Sequence, residues 1–135
     1  WEFRHDHIGY NYRMPNINAA LGCAQLENLD RYVADKRETA ACYAEFFKGK
    51  EDITFFTEPA DCKSNYWLNA VVLKDKAAQL DFLEYTNDHG VMTRPVWELM
   101  NRLPMFEHCE TDGLENTEWL ADRVVNIPSS VRLDK

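Results

Sequence analysis

The amino-acid sequence predicts an α+β domain, in which a small sheet packs against helices. Apolar residues recur at helical spacing from residue 17 to residue 47, and after Gly49 the pattern changes to short strands interrupted by further helices. The 135 residues are enough for one ordinary core. No apolar run approaches the roughly 20 residues of a membrane helix. The predicted order of elements is a long helical entry followed by β-β-α-β-α-β.

The composition is that of a folded, acidic protein. Apolar residues make up 45% of the chain and charged residues 28%, which is far from the composition of a disordered chain. The formal net charge of −8 leaves no basic stripe for phosphate contacts, so a duplex nucleic-acid partner is excluded. Four isolated cysteines predict reduced, buried core thiols of a cytoplasmic protein; they are Cys23, Cys42, Cys62 and Cys109.

Residues 1–14 carry aromatic and polar side chains without a helical period, which predicts an extended arm that ends at Pro15. The chain begins at Trp1, without an initiator methionine or a signal segment, so we expect a piece of a longer chain. The His-Asp-His sequence at residues 5–7 offers metal ligands, but no further ligand at recognisable spacing completes a zinc site. We therefore expect no metal, and a polar arm that lies against another surface.

Two helices are predicted after the arm. Asn16 is the predicted N-cap of the first, which covers residues 17–29 and is rich in small residues that permit close approach of another backbone. The second helix continues to Gly49, where a positive φ is expected at the helix end. Its charged residues 35–38 are interpreted as a solvated face. We expect self-association through the arm and the first helix, because little local sequence covers their apolar side chains.

The second half of the chain alternates between strands and helices. Strands are predicted at residues 53–56, 66–73, 91–96 and 125–127. Asp75 is the predicted cap of the intervening helix, whose Leu80 and Leu83 are expected to face inward. Pro95 limits its strand to an edge or an end of the sheet. A short helix at residues 114–124 precedes the last strand.

Asn11 and Arg13 form the segment with the clearest binding chemistry. An amide and a guanidinium two residues apart, among aromatic side chains, suit an anion, and arginine binds phosphate through its planar fork. The same residues would also form a surface turn anchored by aromatic rings. The residues alone leave both interpretations open.

Two groups of motifs resemble those of a known family. The first comprises HIGYNYRM at residues 7–14, NINAALG at residues 16–22, and then Gln25, Leu26 and Leu29. The second comprises GVMTRPVW at residues 90–97, LPMF at residues 103–106 and NIPS at residues 126–129. Together they resemble the C-terminal part of the DegT/StrS family of pyridoxal-phosphate-dependent sugar aminotransferases, which have fold type I. The resemblance covers essentially the whole chain.

The resemblance implies a domain organisation. Residues 1–15 would be an arm that contributes to the cofactor and substrate site of a partner subunit, and residues 16–135 would be the small C-terminal domain with a mostly antiparallel sheet. The N-terminal cofactor-binding domain would be absent. The family's Schiff-base lysine would lie upstream of Trp1, since none of the seven lysines here matches its motif. The chain alone is therefore expected to contain no catalytic lysine, to hold no cofactor and to be inactive.

The resemblance also implies an activity. The similar branch of the family aminates C4 of UDP-linked 4-keto-6-deoxy sugars for bacterial surface glycans such as lipopolysaccharide, in legionaminic acid and bacillosamine synthesis. Glutamate is the implied amino donor and pyridoxal 5′-phosphate the cofactor, in a cytoplasmic homodimer. Many relatives have histidine at the position of Asn101 and Lys-Pro at residues 98–99, and these departures favour the legionaminate-like branch.

Five residues receive roles from the resemblance. Asn11 would reach across the dimer to the cofactor phosphate of the neighbouring site, and Arg13 would lie near a phosphate of the cofactor or of the nucleotide sugar. The sugar pocket would be lined by Arg94, Trp97 and Asn101.

Two other functions stay open. The same fold could serve as a noncatalytic module for dimerisation or for nucleotide-sugar binding. Alternatively, some family members have histidine in place of the lysine and dehydrate the sugar, and the residue that decides this lies outside the chain.

Overall fold

The computed structural model describes residues 7–132, and helices and strands follow in the order that the sequence predicts. The helices are α1 (Asn16–Leu26), α2 (Leu29–Phe47), α3 (Lys76–Asp88) and α4 (Glu115–Ala121), with a short 3-10 helix at Met100–Arg102. The strands are β1 (Ile53–Phe55), β2 (Asn69–Leu73), β3 (Arg94–Pro95) and β4 (Val124–Ile127). The chain divides into two compact units between Arg31 and Tyr32. Within the described range, no helix is both long and apolar enough to cross a membrane.

The four strands form one sheet in the order β1-β2-β4-β3, and every neighbouring pair is antiparallel. Asn69 lies opposite Ile127, and Arg94 lies opposite Asn126. Pro95 therefore stands on an edge strand, the position in a sheet where a residue without an N–H is tolerated. The α+β class and the edge position of Pro95 are confirmed, although the strand predicted at 91–96 is reduced to two residues.

The core lies on one face of this sheet. Alternate residues of β2 and β4 are buried, and with them are buried one residue of α2 and one of β1; this core comprises Ala40, Phe55, Val71, Leu73, Val125 and Ile127. Tyr43 and Phe47 of α2, with Phe82 and Leu83 of α3, pack against it. Burial of every second strand residue is what a sheet with one covered face requires.

The helical entry is broken where the sequence analysis predicted a continuous helix over residues 17–29. Helix α1 ends at Leu26, and the Asn28 side chain donates from Nδ2 to the carbonyl oxygen of Ala24 at 2.9 Å. Asparagine competes in this way with backbone hydrogen bonds and so favours helix ends. The capping prediction is also wrong, because Pro15 occupies the N-cap position and Asn16 is the first helical residue.

The charged face of α2 is not a solvated surface, which corrects the interpretation of residues 35–38. Asp35 is 9% exposed, and its Oδ1 lies 3.1 Å from Nη2 of Arg132. Arg37 donates to Glu58, with Nη2 2.6 Å from Oε1, and also to the Ser64 carbonyl oxygen. The segments around residues 58–64 and 129–132 cross this face, so the charges fasten two distant parts of the chain to one helix.

Glu58 is held in its ionised form by this arrangement. Hydrogen bonding from Arg37, assisted by the Ser64 backbone N–H at 2.6 Å, lowers the pKa of Glu58 from 4.5 to about 2. The Tyr66 hydroxyl accepts a hydrogen bond from the Glu58 backbone N–H, and the Arg37 guanidinium lies 5.6 Å from the Tyr66 ring centroid. The loop before β2 is thus attached to α2 by several contacts.

Strand β2 begins at Asn69, three residues later than the sequence predicted. Tyr66 has a φ of +46°, and the preceding polar side chains accept from the backbone: Ser64 Oγ from the Tyr66 N–H, and Asn65 Oδ1 from the Trp67 N–H. Such local hydrogen bonds compete with strand pairing. Trp67 is consequently placed in a turn before the strand.

Two predictions for helix α3 are confirmed and one is wrong. Leu83 packs against the core, as predicted. Asp75 caps the helix, as predicted, by accepting from the Ala78 N–H at 2.8 Å. Leu80 is 54% exposed, whereas Gln79 is fully buried. The Gln79 amide donates to the carbonyl oxygens of Ala121 and Val124, both at 2.9 Å. These hydrogen bonds offset the free-energy cost of burying a polar side chain.

The helix predicted at residues 114–124 is shorter, because α4 ends at Ala121 and β4 already begins at Val124. Gly49 and Gly90 have φ values of +74° and +75°, which confirms their predicted places after α2 and α3. The four cysteines are free thiols, but all are exposed, so their predicted core placement is wrong. They lie on α1, on α2 and in two loops rather than on the strands that form the core.

Candidate functional site

The arm segment at residues 7–15 has no helix or strand, and its side chains are exposed. Asn11 Oδ1 accepts from the Arg13 backbone N–H at 3.0 Å and from Arg13 Nε at 3.3 Å. This contact fixes the amide with its oxygen toward Arg13. It leaves the amide NH2 of Asn11 and the two terminal nitrogens of Arg13 available as donors.

These donors suit a phosphate group. A guanidinium presents parallel N–H groups that match phosphate oxygens, and an adjacent amide adds one more donor. Tyr10 and Tyr12 alternate with Asn11 and Arg13 along the chain, and their ring centroids are 6.1 Å apart. The arrangement is compatible with both interpretations of the sequence, the surface turn and the anion site. It is a local turn, and its unused donors are exposed to solvent. His5 and Asp6 of the possible metal motif lie outside the described residues.

A cleft of about 770 Å³ lies at one edge of the sheet in the second unit. One wall is formed by Trp67 and Leu68 before β2, and the other by residues 92–97 around β3, with residues 126–130 at the end of β4 between them. The structure thus brings Arg94 and Trp97 together. The indoles of Trp67 and Trp97 are 66% and 73% exposed.

The Arg94 guanidinium is the cation of this cleft. It donates from Nη2 to the Met92 sulfur at 3.5 Å, and no carboxylate of the described residues lies within ion-pair distance of it. Among residues 7–132, no aspartate or glutamate lines the cleft, although the chain carries 23 acidic residues. The cleft therefore offers an uncompensated positive charge to an anionic ligand.

Ser129 holds the middle of the cleft in place. Its hydroxyl accepts from the Asn69 backbone N–H at 2.7 Å and donates to the Ile127 carbonyl oxygen at 2.7 Å. Lys36 of α2 donates to the Ser129 carbonyl oxygen, and the Tyr43 hydroxyl donates to that of Pro128 at 3.1 Å. The segment after β4 is consequently fixed to both the sheet and α2.

Asn101 lies elsewhere, in a separate cavity of about 810 Å³. Its lining includes the carboxylates of Glu98, Glu110 and Asp112, and no lysine or arginine of the part of the chain that the structure describes lines it. Glu98 pairs with Arg102 at 3.7 Å, but Glu110 and Asp112 still disfavour an anion there, whereas carboxylate oxygens accept hydrogen bonds from hydroxyl groups. The structure therefore does not bring Asn101 together with Arg94 and Trp97, although Trp97 and Glu98 are consecutive residues that line the cleft and the cavity respectively.

Trp67 is the cleft residue that sequence reasoning missed. It was included in a predicted strand, where an aromatic side chain needs no functional explanation. The Ser64-Asn65 pair directly before it favours a turn, and this signal could have separated Trp67 from the strand.

The fold is that of part of an aminotransferase. The chain superimposes on aminotransferase TlmJ from Streptoalloteichus hindustanus with a TM-score of 0.84 and 22% identity, over 96% of this chain and 35% of that one. A model of the DegT/DnrJ/EryC1/StrS aminotransferase family matches residues 1–135, and the chain belongs to this family. The resemblance noted from the motifs is thereby confirmed.

Two of the curated relatives that the chain matches illustrate the sequence similarity. GDP-perosamine synthase of Escherichia coli O157:H7 is 32% identical over 130 residues, which are 95% of this chain. EpsN of Bacillus subtilis (strain 168), described as a putative pyridoxal phosphate-dependent aminotransferase, is 31% identical over 131 residues, 94% of this chain. The chain spans 34% of the length of each relative.

Proposed function

We propose that the complete protein is a pyridoxal-phosphate-dependent aminotransferase that moves an amino group from glutamate to C4 of a UDP-linked 4-keto-6-deoxy sugar. The observation that carries the aminotransferase class is the family match over the entire chain. The UDP sugar, the C4 position and glutamate are proposed from the resemblance of the motifs. The predicted legionaminate-like branch and a role in bacterial surface-glycan synthesis complete the proposal. Four free thiols are in keeping with a cytoplasmic location.

Asn11 and Arg13 are the proposed phosphate ligands for the cofactor. Their outward donors fit its phosphate group, and their exposure is in keeping with an arm, residues 1–15, that serves the site of a partner subunit. The cofactor supplies the electron-withdrawing ring for amino transfer when it is bound. This chain's own contribution is to bind and orient the phosphate.

A homodimer is proposed through the arm and α1. No residue of α1 is buried, and Ile17, Leu21 and Leu26 are 81%, 62% and 68% exposed. Exposed apolar surface of this kind favours association, and a symmetric dimer would cover it on both copies. Residues 16–135 would then form the small domain of each subunit.

Arg94 and Trp97 are the proposed substrate contacts in the cleft. The guanidinium without a carboxylate partner suits the diphosphate of a nucleotide sugar, and an exposed indole packs well against a sugar ring. Asn101 is proposed as a contact for sugar hydroxyl groups, which the carboxylates of its cavity would also bind.

The complete protein, loaded with pyridoxal 5′-phosphate, tests this function. It would be incubated with L-glutamate and the UDP-, GDP- or dTDP-linked 4-keto-6-deoxy sugar, and the products would be identified by mass spectrometry. We expect a 4-amino sugar and 2-oxoglutarate, with the UDP sugar preferred. Arg94→Gln should raise KM for the sugar nucleotide, whereas the exposed control Lys50→Gln should not.

Other products would overturn the proposal. A deoxygenated sugar without an amino group would identify a dehydratase. Binding of the nucleotide sugar without any turnover would identify a noncatalytic module.

A further inference from the structure

Trp67 is a large exposed aromatic side chain without a role in the function proposed above. Its indole is 66% exposed, and no ring or cation of the described residues stacks on it. Its backbone is nevertheless fixed, because its N–H donates to Asn65 Oδ1 at 3.0 Å and Tyr66 before it has a positive φ. The structure therefore holds an indole at the mouth of the cleft.

The placement of Trp67 relative to Arg94 restricts what could contact both. Trp67 precedes β2 and Arg94 begins β3, and these two strands flank β4 on opposite sides. Arg94 lies opposite Asn126, which lies opposite Ala70, so Trp67 is also displaced by three residues along the chain from the level of Arg94. Their backbones are therefore farther apart than two strand spacings, which amount to roughly 10 Å. An elongated ligand, with a planar ring at one end joined to an anion, suits this separation.

We propose that Trp67 stacks on the base of the nucleotide sugar while Arg94 binds its diphosphate and Trp97 faces the sugar. This inference rests on the proposed function and names the part of the substrate that each side of the cleft recognises. Every nucleobase has a π face, and stacking on an aromatic ring is tolerant of base identity. Leu68 and Pro128 line the cleft beside Trp67 and give the base an apolar surrounding.

The charge distribution supports this assignment. The chain has a net charge of −8, yet the described part of the cleft lining contains one arginine and no carboxylate. The described lining of the neighbouring cavity contains carboxylates and no lysine or arginine. A diphosphate is therefore favoured in the cleft and disfavoured in the cavity. A sugar at Trp97 would lie beside Glu98, where the cleft and the cavity adjoin in the chain. Its hydroxyl groups could donate to the carboxylate oxygens there.

The cleft is also preorganised for such a ligand. Ser129 joins the end of β4 to the Asn69 N–H, so the segment between the two walls is fixed relative to β2. A fixed cleft loses less conformational freedom on binding than a mobile one. The indole and the guanidinium then act from opposite sides of a rigid strand.

Binding of ligand fragments to the complete protein tests the assignment. Affinities for UDP and for inorganic pyrophosphate would be measured by calorimetry for the wild type, Trp67→Leu, Trp67→Phe and Arg94→Gln. We expect Trp67→Leu to weaken UDP about tenfold, as for base stacking on aromatic residues, and to leave pyrophosphate unchanged. Trp67→Phe should retain most of the UDP affinity, and Arg94→Gln should weaken both ligands. Trp119→Leu, which removes another half-exposed indole, is the matched control and should change neither.

Three results would overturn the inference: no UDP binding to the wild type, unchanged UDP affinity in Trp67→Leu, or an equal loss of UDP and pyrophosphate in that variant. An equal loss would mean that Trp67 supports the fold of the cleft rather than the base. Failure of the proposed function alone would give a different result. The amino-sugar assay would show no product, while Trp67→Leu would still weaken UDP binding and leave pyrophosphate binding unchanged.

Discussion

Helices α1 and α2 follow each other in the chain but differ in how their side chains are used. None of the residues of α1 is buried, although it carries several large apolar side chains. Helix α2 is more polar, yet it buries Asp35 and Ala40 and pairs its charges with other segments. Burial is therefore decided by the partners available within the chain rather than by the polarity of the side chain alone.

Polar side chains of α2 hydrogen-bond directly to segments that line the candidate cleft or lead to it. Lys36 and Tyr43 hold residues 128 and 129 in the cleft, and Arg37 holds the loop that leads to Trp67. Apolar residues of α1 have no comparable role in this chain. The comparison indicates that α2 organises the segments packed on the sheet, and it is in keeping with the proposal that α1 and the arm serve as surfaces for a second subunit.

The largest expected effect is in the core under α2. Leu73→Ala removes a side chain that is 6% exposed, and it should destabilise the 135-residue chain by about 2 to 5 kcal/mol. Leu26→Ala on α1 is the matched change at a 68% exposed side chain and should stay within about 0.5 kcal/mol. Chemical denaturation of both variants measures this. Similar losses in the two would show that α1 is packed within the chain.

A smaller effect is expected at the connection between α2 and the cleft. Ser129→Ala removes the acceptor of the buried Asn69 N–H and should cost about 1 to 3 kcal/mol of unfolding free energy. Ser130→Ala is the control, since Ser130 is exposed and also lines the cleft. Equal stability of the two variants by thermal denaturation would show that the Ser129 hydrogen bonds do not hold this segment.

The smallest effect concerns the pH dependence of the α2 contacts. The pKa of Glu58 is lowered to about 2 by Arg37, so its contribution to stability is complete above about pH 4.5 and is lost as the pH falls toward 2. The wild type should lose more stability across this range than Glu58→Gln. Glu45→Gln, which breaks an exposed pair with Lys48 on the same helix, should retain the wild-type slope. Parallel slopes for the wild type and Glu58→Gln would contradict the Arg37 contact.

Local signals in the sequence correctly predicted several boundaries. Asp75 caps α3, Gly49 and Gly90 follow helix ends with positive φ, and Pro95 lies on an edge strand. Each of these depends on the backbone chemistry of one residue and its immediate neighbours. The element order and the α+β class followed from them and from the change in hydrophobic period.

Predictions that depended on distant partners failed. Leu80 is predicted to face inward because it is apolar. Instead, Gln79 is buried, because its amide donates to the carbonyl oxygens of Ala121 and Val124, and Leu80 is exposed. Residues 35–38 were interpreted as solvated because nothing in their own segment indicates Glu58 or Arg132. The grouping of Trp67 with Arg94 likewise follows from strand order, which the sequence does not state. Arg94 and Trp97 were assigned from motifs, and their roles stay predictions.

Cofactor retention by Asn11→Ala in the complete protein tests most directly whether the arm serves ligand binding rather than folding. The Asn11→Ala variant lacks a donor to the phosphate, so pyridoxal 5′-phosphate should bind about tenfold more weakly or worse. Equilibrium dialysis measures this affinity. The melting temperature of the cofactor-free protein should be unchanged, and the exposed control Asn18→Ala should alter neither quantity. Unchanged cofactor affinity with a lowered melting temperature would show that Asn11 is a structural turn residue and would contradict the account.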